Sequence, residues 1–385
     1  MIVSLVLAAI ASAPAGMAFY TPPSPLPPGK PGDVIWSRTL PPNDAYPADQ
    51  THLLVLYHSV GPNGDVAVSG TVSIPHGTPP AGGWPVMSWS HGTTGNAPLC
   101  APSTYTKIDG ERALQNDFVE HGYVVVETDY EGNGTPGIHP YMVATATAHD
   151  VADMVIAARH LVPDIGTNWV VAGHSEGGFG AIATAAFGQP DAPDLHLLGA
   201  EAFAPASHML LYFHNMQTMD QPISELSLFL LMIQSYGTYD PDVHLDQLFY
   251  PTLTGKLPEL QQHCLGYFRH QLDWTSQVPS EMFRRDADFS AIEKDFAANE
   301  PGGFHLTVPL LVLQGTTDTM VNPGMSTEMV AKLCDSGTDL TYSVYKEKDH
   351  FTLLPASTTE SERWASALFA HVTPTSTCGK PPLFH

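Results

Sequence analysis

The stretch from Trp169 to Ala185, WVVAGHSEGGFGAIATA, decides the fold. It begins with a short apolar run typical of a buried strand and continues into the motif G-x-S-x-G at 173–177. A run of small residues follows, typical of a helix that packs closely on a sheet. The glycines allow a sharp turn between strand and helix, which would lift the hydroxyl of Ser175 out of the sheet. This context favours a nucleophile elbow over a chance occurrence of the motif.

Segments on both sides of this stretch alternate between strand-like and helix-like patterns. Apolar or β-branched runs predict strands at 53–57, 66–74, 86–90, 123–126, 309–313 and 340–345. The spacing of apolar residues predicts helices at 113–121, 145–161 and 360–371. Strands that alternate with helices indicate an α/β fold with a mostly parallel central sheet flanked by helices.

The alternation is interrupted between residues 205 and 304, where the chain reads as helical or irregular. We therefore predict a core formed by 19–204 and 305–385, with a helical insertion at 205–304. The run from Leu226 to Ile233 is unusually apolar but too short to span a bilayer. A core helix is the common explanation for such a run, and the lining of an apolar pocket is the other.

A serine hydroxyl is a weak nucleophile until an adjacent base takes its proton. In folds with this elbow, the acid and then the histidine follow the serine along the chain. Asp318 follows the predicted strand 309–313, and His350 follows the strand 340–345. We predict that His350 is the general base for Ser175 and that Asp318 orients its imidazole. Asp349 is the rival acid, although adjacent side chains rarely point at one another usefully.

The oxyanion of such a reaction needs preorganised backbone donors. The residue after the nucleophile, Glu176, is one predicted donor. The loop after strand 86–90 supplies the other, with Thr93 as first choice and Thr94 as second; a simple glycine-rich turn is the alternative. Tyr130 opens a turn-rich loop at the end of strand 123–126, which we interpret as a pocket wall. That loop lacks the Gly-Lys-Ser/Thr sequence of a phosphate-binding loop.

The net charge of the chain restricts the kinds of molecule that it can bind. The formal net charge is −24, from 39 acidic and 15 basic residues among 385. Such a surface repels nucleic-acid phosphates and anionic lipid headgroups. Nucleic-acid binding is therefore not expected, and any transient contact with a lipid interface would depend on apolar residues.

The first 18 residues resemble a secretory signal peptide, with an apolar run from Ile2 to Ala13. No Lys or Arg precedes that run. The alternative to a signal peptide is a buried N-terminal helix. The proline-rich segment 21–47 should be extended and irregular.

Four cysteines, an even number, suit two disulfides in an exported protein and leave three pairings open; they are Cys100, Cys264, Cys334 and Cys378. No cysteine pair has zinc-site spacing, and no metal or cofactor is expected. His149, Asp150 and Asp153 on one helix are a faint metal candidate, for which solvated or capping roles are the simpler explanation.

Several motifs occur together in one order: FYTPP at 19–23, SHGTTG at 90–95, CAPS at 100–103, TDYEG at 128–132, GTPGIHPY at 134–141 and GHSEGG at 173–178. In this they resemble the secretory lipases of actinobacteria and fungi, of the lipase-A type. The resemblance implies an α/β-hydrolase core, a helical cap (lid) at 205–304, and hydrolysis of triacylglycerol or simpler acyl esters without a cofactor. It also implies that the run from Leu226 to Ile233, including Leu228 and Phe229, faces acyl chains, and that Cys100 pairs with Cys264 and Cys334 with Cys378. Two departures are Glu176, where many bacterial relatives carry Gln, and Phe179, where many carry His or a small residue.

The leading hypothesis is therefore a secreted lipase or esterase that forms an acyl-enzyme on Ser175. A carboxylesterase for non-lipid substrates such as polyesters, or a peptidase, would share the same fold and catalytic residues. A non-catalytic binding protein of the same fold is a third hypothesis, which the presence of Ser175, Asp318 and His350 disfavours.

Overall fold

A ten-stranded sheet organises the chain in the computed structural model, which describes residues 13–47, 50–62, 64–190 and 192–385. The strands are β1 (Val34–Thr39), β2 (Gln50–Gly61), β3 (Gly64–Pro75), β4 (Trp84–Ser90), β5 (Val124–Thr128), β6 (Ile165–His174), β7 (His196–Phe203), β8 (Leu310–Gly315), β9 (Leu340–Tyr345) and β10 (Leu383–Phe384). Their order across the sheet is β1-β2-β3-β5-β4-β6-β7-β8-β9-β10. The pairs β1–β2, β2–β3 and β3–β5 are antiparallel, and every other pair is parallel. The predicted mostly parallel sheet is confirmed.

Helices cover both faces of this sheet. In chain order they are α1 (Gly110–Glu120), α2 (Ala144–Leu161), α3 (Glu176–Phe187), α4 (Met209–Thr218), α5 (Leu226–Tyr239), α6 (Leu245–Leu248), α7 (Pro251–Thr254), α8 (Leu265–Phe268), α9 (Leu272–Thr275), α10 (Ser290–Ala298), α11 (Pro323–Asp335) and α12 (Leu353–Phe369). Apolar residues of α1 and α12 share one buried cluster with the sheet, and those of α2, α3 and α11 share another. The two clusters form cores on opposite faces of the sheet, because successive strand side chains point to opposite faces.

Three strands were not predicted from the sequence: β1, β7 and the two-residue strand β10. Residues 34–39 within the proline-rich segment form β1, because this proline-free stretch pairs with β2. β7 has no apolar run long enough to predict it, since Gly199 and Glu201 interrupt the pattern. Glu201 is nevertheless fully buried, where its carboxylate accepts a hydrogen bond from Ser361.

The segment between β7 and β8 contains α4 to α10. A disulfide joins Cys264 of this segment to Cys100 of the core, and the Leu265 N–H donates to the Thr94 carbonyl (2.8 Å). A second disulfide joins Cys334 to Cys378. This is the pairing that the resemblance implies.

The predicted signal peptide lies for the most part outside the described residues, since the description begins at Ala13. Phe19 and Tyr20, just after it, are buried against Trp36 and Leu54 in a small cluster. Within the described part of the chain, no helix combines the length and apolar character needed to cross a membrane.

Candidate active site

Ser175 lies at the junction of β6 and α3, where the chain turns sharply. Its backbone has φ 59° and ψ −116°, a strained conformation for a residue with a side chain. Two backbone bonds hold the turn: the Ser175 N–H donates to the Phe203 carbonyl (2.9 Å), and the Ala206 N–H donates to the Ser175 carbonyl (3.0 Å). A Cβ at Gly177 would collide with the carbonyl oxygen of Ser90, so the motif requires glycine there.

His350 and Asp318 lie on loops that follow β9 and β8, and they form a buried pair. His350 Nδ1 is 2.8 Å from Asp318 Oδ2. The other carboxylate oxygen of Asp318 accepts hydrogen bonds from the backbone N–H groups of Met320 (2.8 Å) and Val321 (2.9 Å). Since a carboxylate accepts, Nδ1 carries the proton and Nε2 is left as the basic nitrogen.

The environment separates the pKa values of this pair. Burial alone would raise the pKa of Asp318, but the His350 ring and the two backbone donors outweigh it, and the pKa lies below its ordinary value. Burial lowers the pKa of His350, the nearby His174 lowers it further, and Asp318 opposes both. The imidazole is therefore neutral near pH 7 and available as a base.

Ser175 and His350 line one cavity of about 770 Å³, which is within the range of small-molecule sites. Residues from α4, from α5 and from the loop between them form an apolar wall: Met209, Met216, Met219, Ile223, Leu228 and Met232. Residues from α1, β5 and the loop before α1 form a polar wall: Tyr105, Asp109, Glu111, Arg112, Gln115 and Glu127. The cavity therefore presents both apolar and polar side chains, so it can bind a ligand that has an apolar part and a polar part.

Of the predicted oxyanion residues, Glu176 directly follows the serine, and Thr93 and Thr94 lie in the loop after β4. Thr93 and Thr94 both line the cavity, and the Thr93 hydroxyl is 3.0 Å from that of Tyr141. The Thr94 hydroxyl is buried and has no hydrogen-bond partner among the described residues. Glu176 opens α3, while its buried side chain lies 2.6 Å from His139 Nε2 and so does not face the cavity.

Two predicted substrate-binding residues do not reach the cavity. Tyr130 is fully buried, and its hydroxyl bonds to Ser90 (2.5 Å) and to the His91 carbonyl (3.1 Å). Phe229 is also fully buried, in a cluster of phenylalanines that includes Phe213 and Phe283. The structure places both side chains away from the cavity lining, since a position beside a site does not fix the direction of the side chain.

The sequence did not identify His174 and Glu111, although His174 contacts the predicted base. His174 bonds to the His350 carbonyl (2.9 Å) and to Glu111 (3.0 Å). His174 could have been singled out, because it precedes the serine in the motif. Nothing in the sequence around Glu111 marks it, since its role depends on how α1 packs.

Asp150, one of the residues of the faint metal candidate on α2, does not line the cavity. Asp150 is buried and accepts hydrogen bonds from Ser59 and from the Glu131 N–H, so it is neither solvated nor a helix cap. Within the described ranges, the side chains that could jointly hold a metal ion are Asp117, His121 and Glu362, on the outer side of α1 and α12. None of these three lines the cavity.

Comparisons with known proteins agree with this architecture. A family model described as secretory lipase matches residues 101–377. Lipase A of Candida antarctica has a similar structure (18% identity, 97% of this chain and 90% of that chain, TM-score 0.80). So do a putative hydrolase of Legionella pneumophila (21%, 87% and 98%, 0.73) and the rice cell wall degrading esterase LipA of Xanthomonas oryzae (17%, 89% and 97%, 0.66). At these identities the structures establish the α/β-hydrolase fold alone. No curated protein matches the sequence.

Proposed function

The chain belongs to the secretory lipase family, an ester-hydrolysing group, and from this premise we propose that it is an exported enzyme that cleaves acyl esters through Ser175, His350 and Asp318. The observation that carries the proposal is that a strained serine and a neutral histidine, itself bonded to a buried carboxylate, line one cavity. Two disulfides support export, because such bonds persist in oxidising compartments.

The reaction proceeds in two halves. His350 Nε2 takes the proton of the Ser175 hydroxyl as its oxygen attacks the ester carbonyl carbon, and the carbonyl electrons move onto the oxygen. The tetrahedral intermediate collapses, the bond to the alkoxide breaks, and His350 returns the proton to the leaving alcohol. Water then repeats these steps on the acyl-enzyme and releases a carboxylic acid.

The backbone N–H groups of Glu176 and of Thr93 would bind the oxyanion of each intermediate. The N–H of Glu176 belongs to the first turn of α3, where no carbonyl of the same helix can accept from it. The N-terminal end of a helix also favours negative charge. The unpartnered Thr94 hydroxyl is a third donor beside the same loop.

The apolar wall favours an acyl chain over a peptide or a compact polar ester. Methionine side chains from α4 and α5 are flexible and adapt to an unbranched chain. We therefore assign the helical segment 205–304 as the cap over the acyl site, with Leu228 at its lining.

Initial rates on p-nitrophenyl esters from acetyl to palmitoyl, for wild type and Ser175→Ala, test the proposal. Ser175→Ala should lower kcat by about 10⁴-fold or more without loss of fold. Ser276→Ala is the matched control, because Ser276 is exposed in the same chain and lies away from the cavity. An alkyl fluorophosphonate should form a P–O bond with Ser175 and lose fluoride, so wild type should gain the mass of the phosphonyl group and Ser175→Ala should not. Retention of most activity in Ser175→Ala would overturn the assignment.

A further inference from the structure

Glu111 connects α1 to the loop that carries Thr93. The Gly92 N–H donates to both oxygens of the Glu111 carboxylate (3.2 and 3.1 Å). The indole N–H of Trp89, at the end of β4, donates to Oε2 (2.9 Å). The carboxylate thus fixes the backbone of Gly92, the residue directly before Thr93.

His174 connects the same carboxylate to the loop that carries His350. Its Nδ1 is 3.0 Å from Glu111 Oε1, and its Nε2 is 2.9 Å from the His350 carbonyl oxygen. The ring is 2% exposed and packs against the His350 ring, with centroids 4.4 Å apart. Since His174 directly precedes Ser175, its ring is held beside the nucleophile by the elbow itself.

The donors and acceptors determine the charge of this pair. A carbonyl oxygen only accepts, so His174 Nε2 must donate to it. Both oxygens of Glu111 receive N–H groups from Gly92 and Trp89, which favours the ionised carboxylate. Burial opposes this, but the bond and charge of His174 and the bond of Trp89 leave the pKa of Glu111 below its ordinary value. Nδ1 therefore donates to Glu111, and the His174 ring bridges this carboxylate and the His350 carbonyl through its two nitrogens.

We propose that Glu111 and His174 form a positioning pair, which holds the oxyanion loop at Gly92 and the backbone of His350 in fixed relation to Ser175. This rests on the proposed function. Neither residue of the pair exchanges a proton with the substrate. Both act by positioning the groups that react with the substrate. Misplacement of those groups raises the activation barrier more than it weakens binding, so loss of either residue should lower kcat with little change in KM.

The charge of the pair also acts on His350. The titratable groups around His350 are Asp318 from the loop after β8, His174 from β6, Glu111 from α1 and the exposed neighbour Asp349. His174 lowers the pKa of His350, whereas Glu111 raises it. Replacing His174 by a neutral residue removes the first effect and leaves the second, so the change favours protonated His350.

The first test compares Glu111→Ala with Glu111→Gln. Alanine leaves three N–H groups without an acceptor, and we expect kcat to fall by about 10- to 100-fold with KM within about threefold of wild type. Glutamine can still accept from Trp89 and Gly92 and donate to a neutral His174, so it should recover part of the loss. Glu120→Gln on the exposed face of α1 is the matched control. A folded Glu111→Ala variant with kcat within about threefold of wild type would overturn the proposal.

The second test is the pH profile of kcat/KM for His174→Gln, which remains decisive if Glu111→Ala does not fold. The acid limb of this profile, where kcat/KM falls at low pH, reports the pKa of the essential base in the free enzyme. It should move to higher pH than in wild type, an effect that loss of stability alone would not produce. His121→Gln, which removes another histidine paired with a glutamate, should leave the limb in place. An unshifted limb in His174→Gln would overturn the proposal.

The two proposals fail in different ways. If wild type is inactive on every ester, or Ser175→Ala is as active as wild type, the proposed function fails. If wild type is active, Ser175→Ala is inactive and the Glu111 and His174 variants behave as their controls, the positioning pair alone fails.

Discussion

His350 Nδ1 lies 2.8 Å from Asp318 Oδ2, while Oδ1 of the same carboxylate is held by the N–H groups of Met320 and Val321. These contacts predict a large effect of Asp318→Asn. An amide cannot accept at both positions, so either its NH₂ group faces Nδ1 and selects the wrong imidazole tautomer, or the backbone donors lose their acceptor. We expect kcat to fall by roughly 10³- to 10⁴-fold, with little change in the circular dichroism spectrum.

Asp349→Asn is the matched control for this experiment. The Asp349 carboxylate is exposed and accepts from the backbone N–H groups of Phe351 and Thr352, not from His350. Its substitution should leave kcat within about threefold of wild type. The reverse pattern, with Asp349→Asn inactive and Asp318→Asn active, would assign the acid to Asp349.

The pKa of His350 predicts the low-pH limit of the enzyme. Burial lowers that pKa, His174 lowers it further, and the contact with Asp318 does not restore it. Only the neutral imidazole can accept the Ser175 proton. We therefore expect kcat/KM to be maintained below pH 6.5, the ordinary histidine value, and to fall only as the pH passes through the lowered pKa of His350. Rates on a soluble short-chain ester between pH 4.5 and 8 check this, and an acid midpoint above 6.5 would contradict it.

The position of Leu228 on α5 leads to a prediction about the length of acyl chain that the enzyme prefers. Leu228 lines the cavity one helical turn before Met232, which also lines it. Leu228→Trp would add bulk to the apolar wall, so we expect the ratio of palmitoyl to acetyl hydrolysis to fall by about tenfold or more. Leu211→Trp is the matched control, because Leu211 is on α4 of the same segment but exposed. An equal loss on all esters, or an equal change in both variants, would contradict an acyl site at this wall.

The sequence predicted features that are local in the chain. The elbow around Ser175 follows from an apolar strand, two glycines and a helix within 17 residues, so the turn and the order of the later residues could be anticipated. The parallel sheet followed from alternating apolar runs. The strand β7 could not be predicted, because Glu201 on it is buried through a contact with Ser361, 160 residues away.

The direction of side chains was the part that sequence could not supply. Phe229 and Leu228 are adjacent on α5, yet one packs among phenylalanines and the other lines the cavity. Glu111 has no local signature, because its partners Gly92 and His174 come from other strand ends. Such assignments depend on how helices dock, which the period of a pattern does not determine.

The two disulfides should differ in their effect on activity. Cys100 and Cys264 are 164 residues apart and Cys334 and Cys378 are 44 apart, so chain entropy alone gives contributions of about 5 and about 4 kcal/mol. Both double alanine variants should lower the free energy of unfolding in urea. Only the first should lower kcat markedly, because Cys264 precedes Leu265, whose N–H holds the Thr94 carbonyl. Equal kcat losses in the two variants would contradict this.

Glu131 predicts how stability depends on pH. Its carboxylate lies in the loop after β5, where Oε2 is buried with no hydrogen-bond partner among the described residues, and burial raises its pKa to about 7. A raised pKa means that the folded protein holds this proton more tightly than the unfolded chain, whose ordinary glutamate pKa is about 4.3. The stabilisation is therefore complete below that value and is lost as the pH rises through 7.

Glu131→Gln replaces the protonated form by a neutral isostere and should remove this dependence. We expect the Tm of wild type to fall relative to that of Glu131→Gln between pH 5 and pH 8, so that the variant is the more stable protein at pH 8. Asp150 accepts from the Glu131 N–H (2.7 Å), and its pKa is raised by burial and then by the Glu131 carboxylate. The difference between the two curves therefore measures Glu131 together with its effect on Asp150. Glu120→Gln, at an exposed position, should run parallel to wild type. If the Tm curve of Glu131→Gln also ran parallel to that of wild type, the prediction would be wrong. The Glu131 carboxyl group would then have the same pKa in the folded and unfolded chain, as a solvated carboxyl group does.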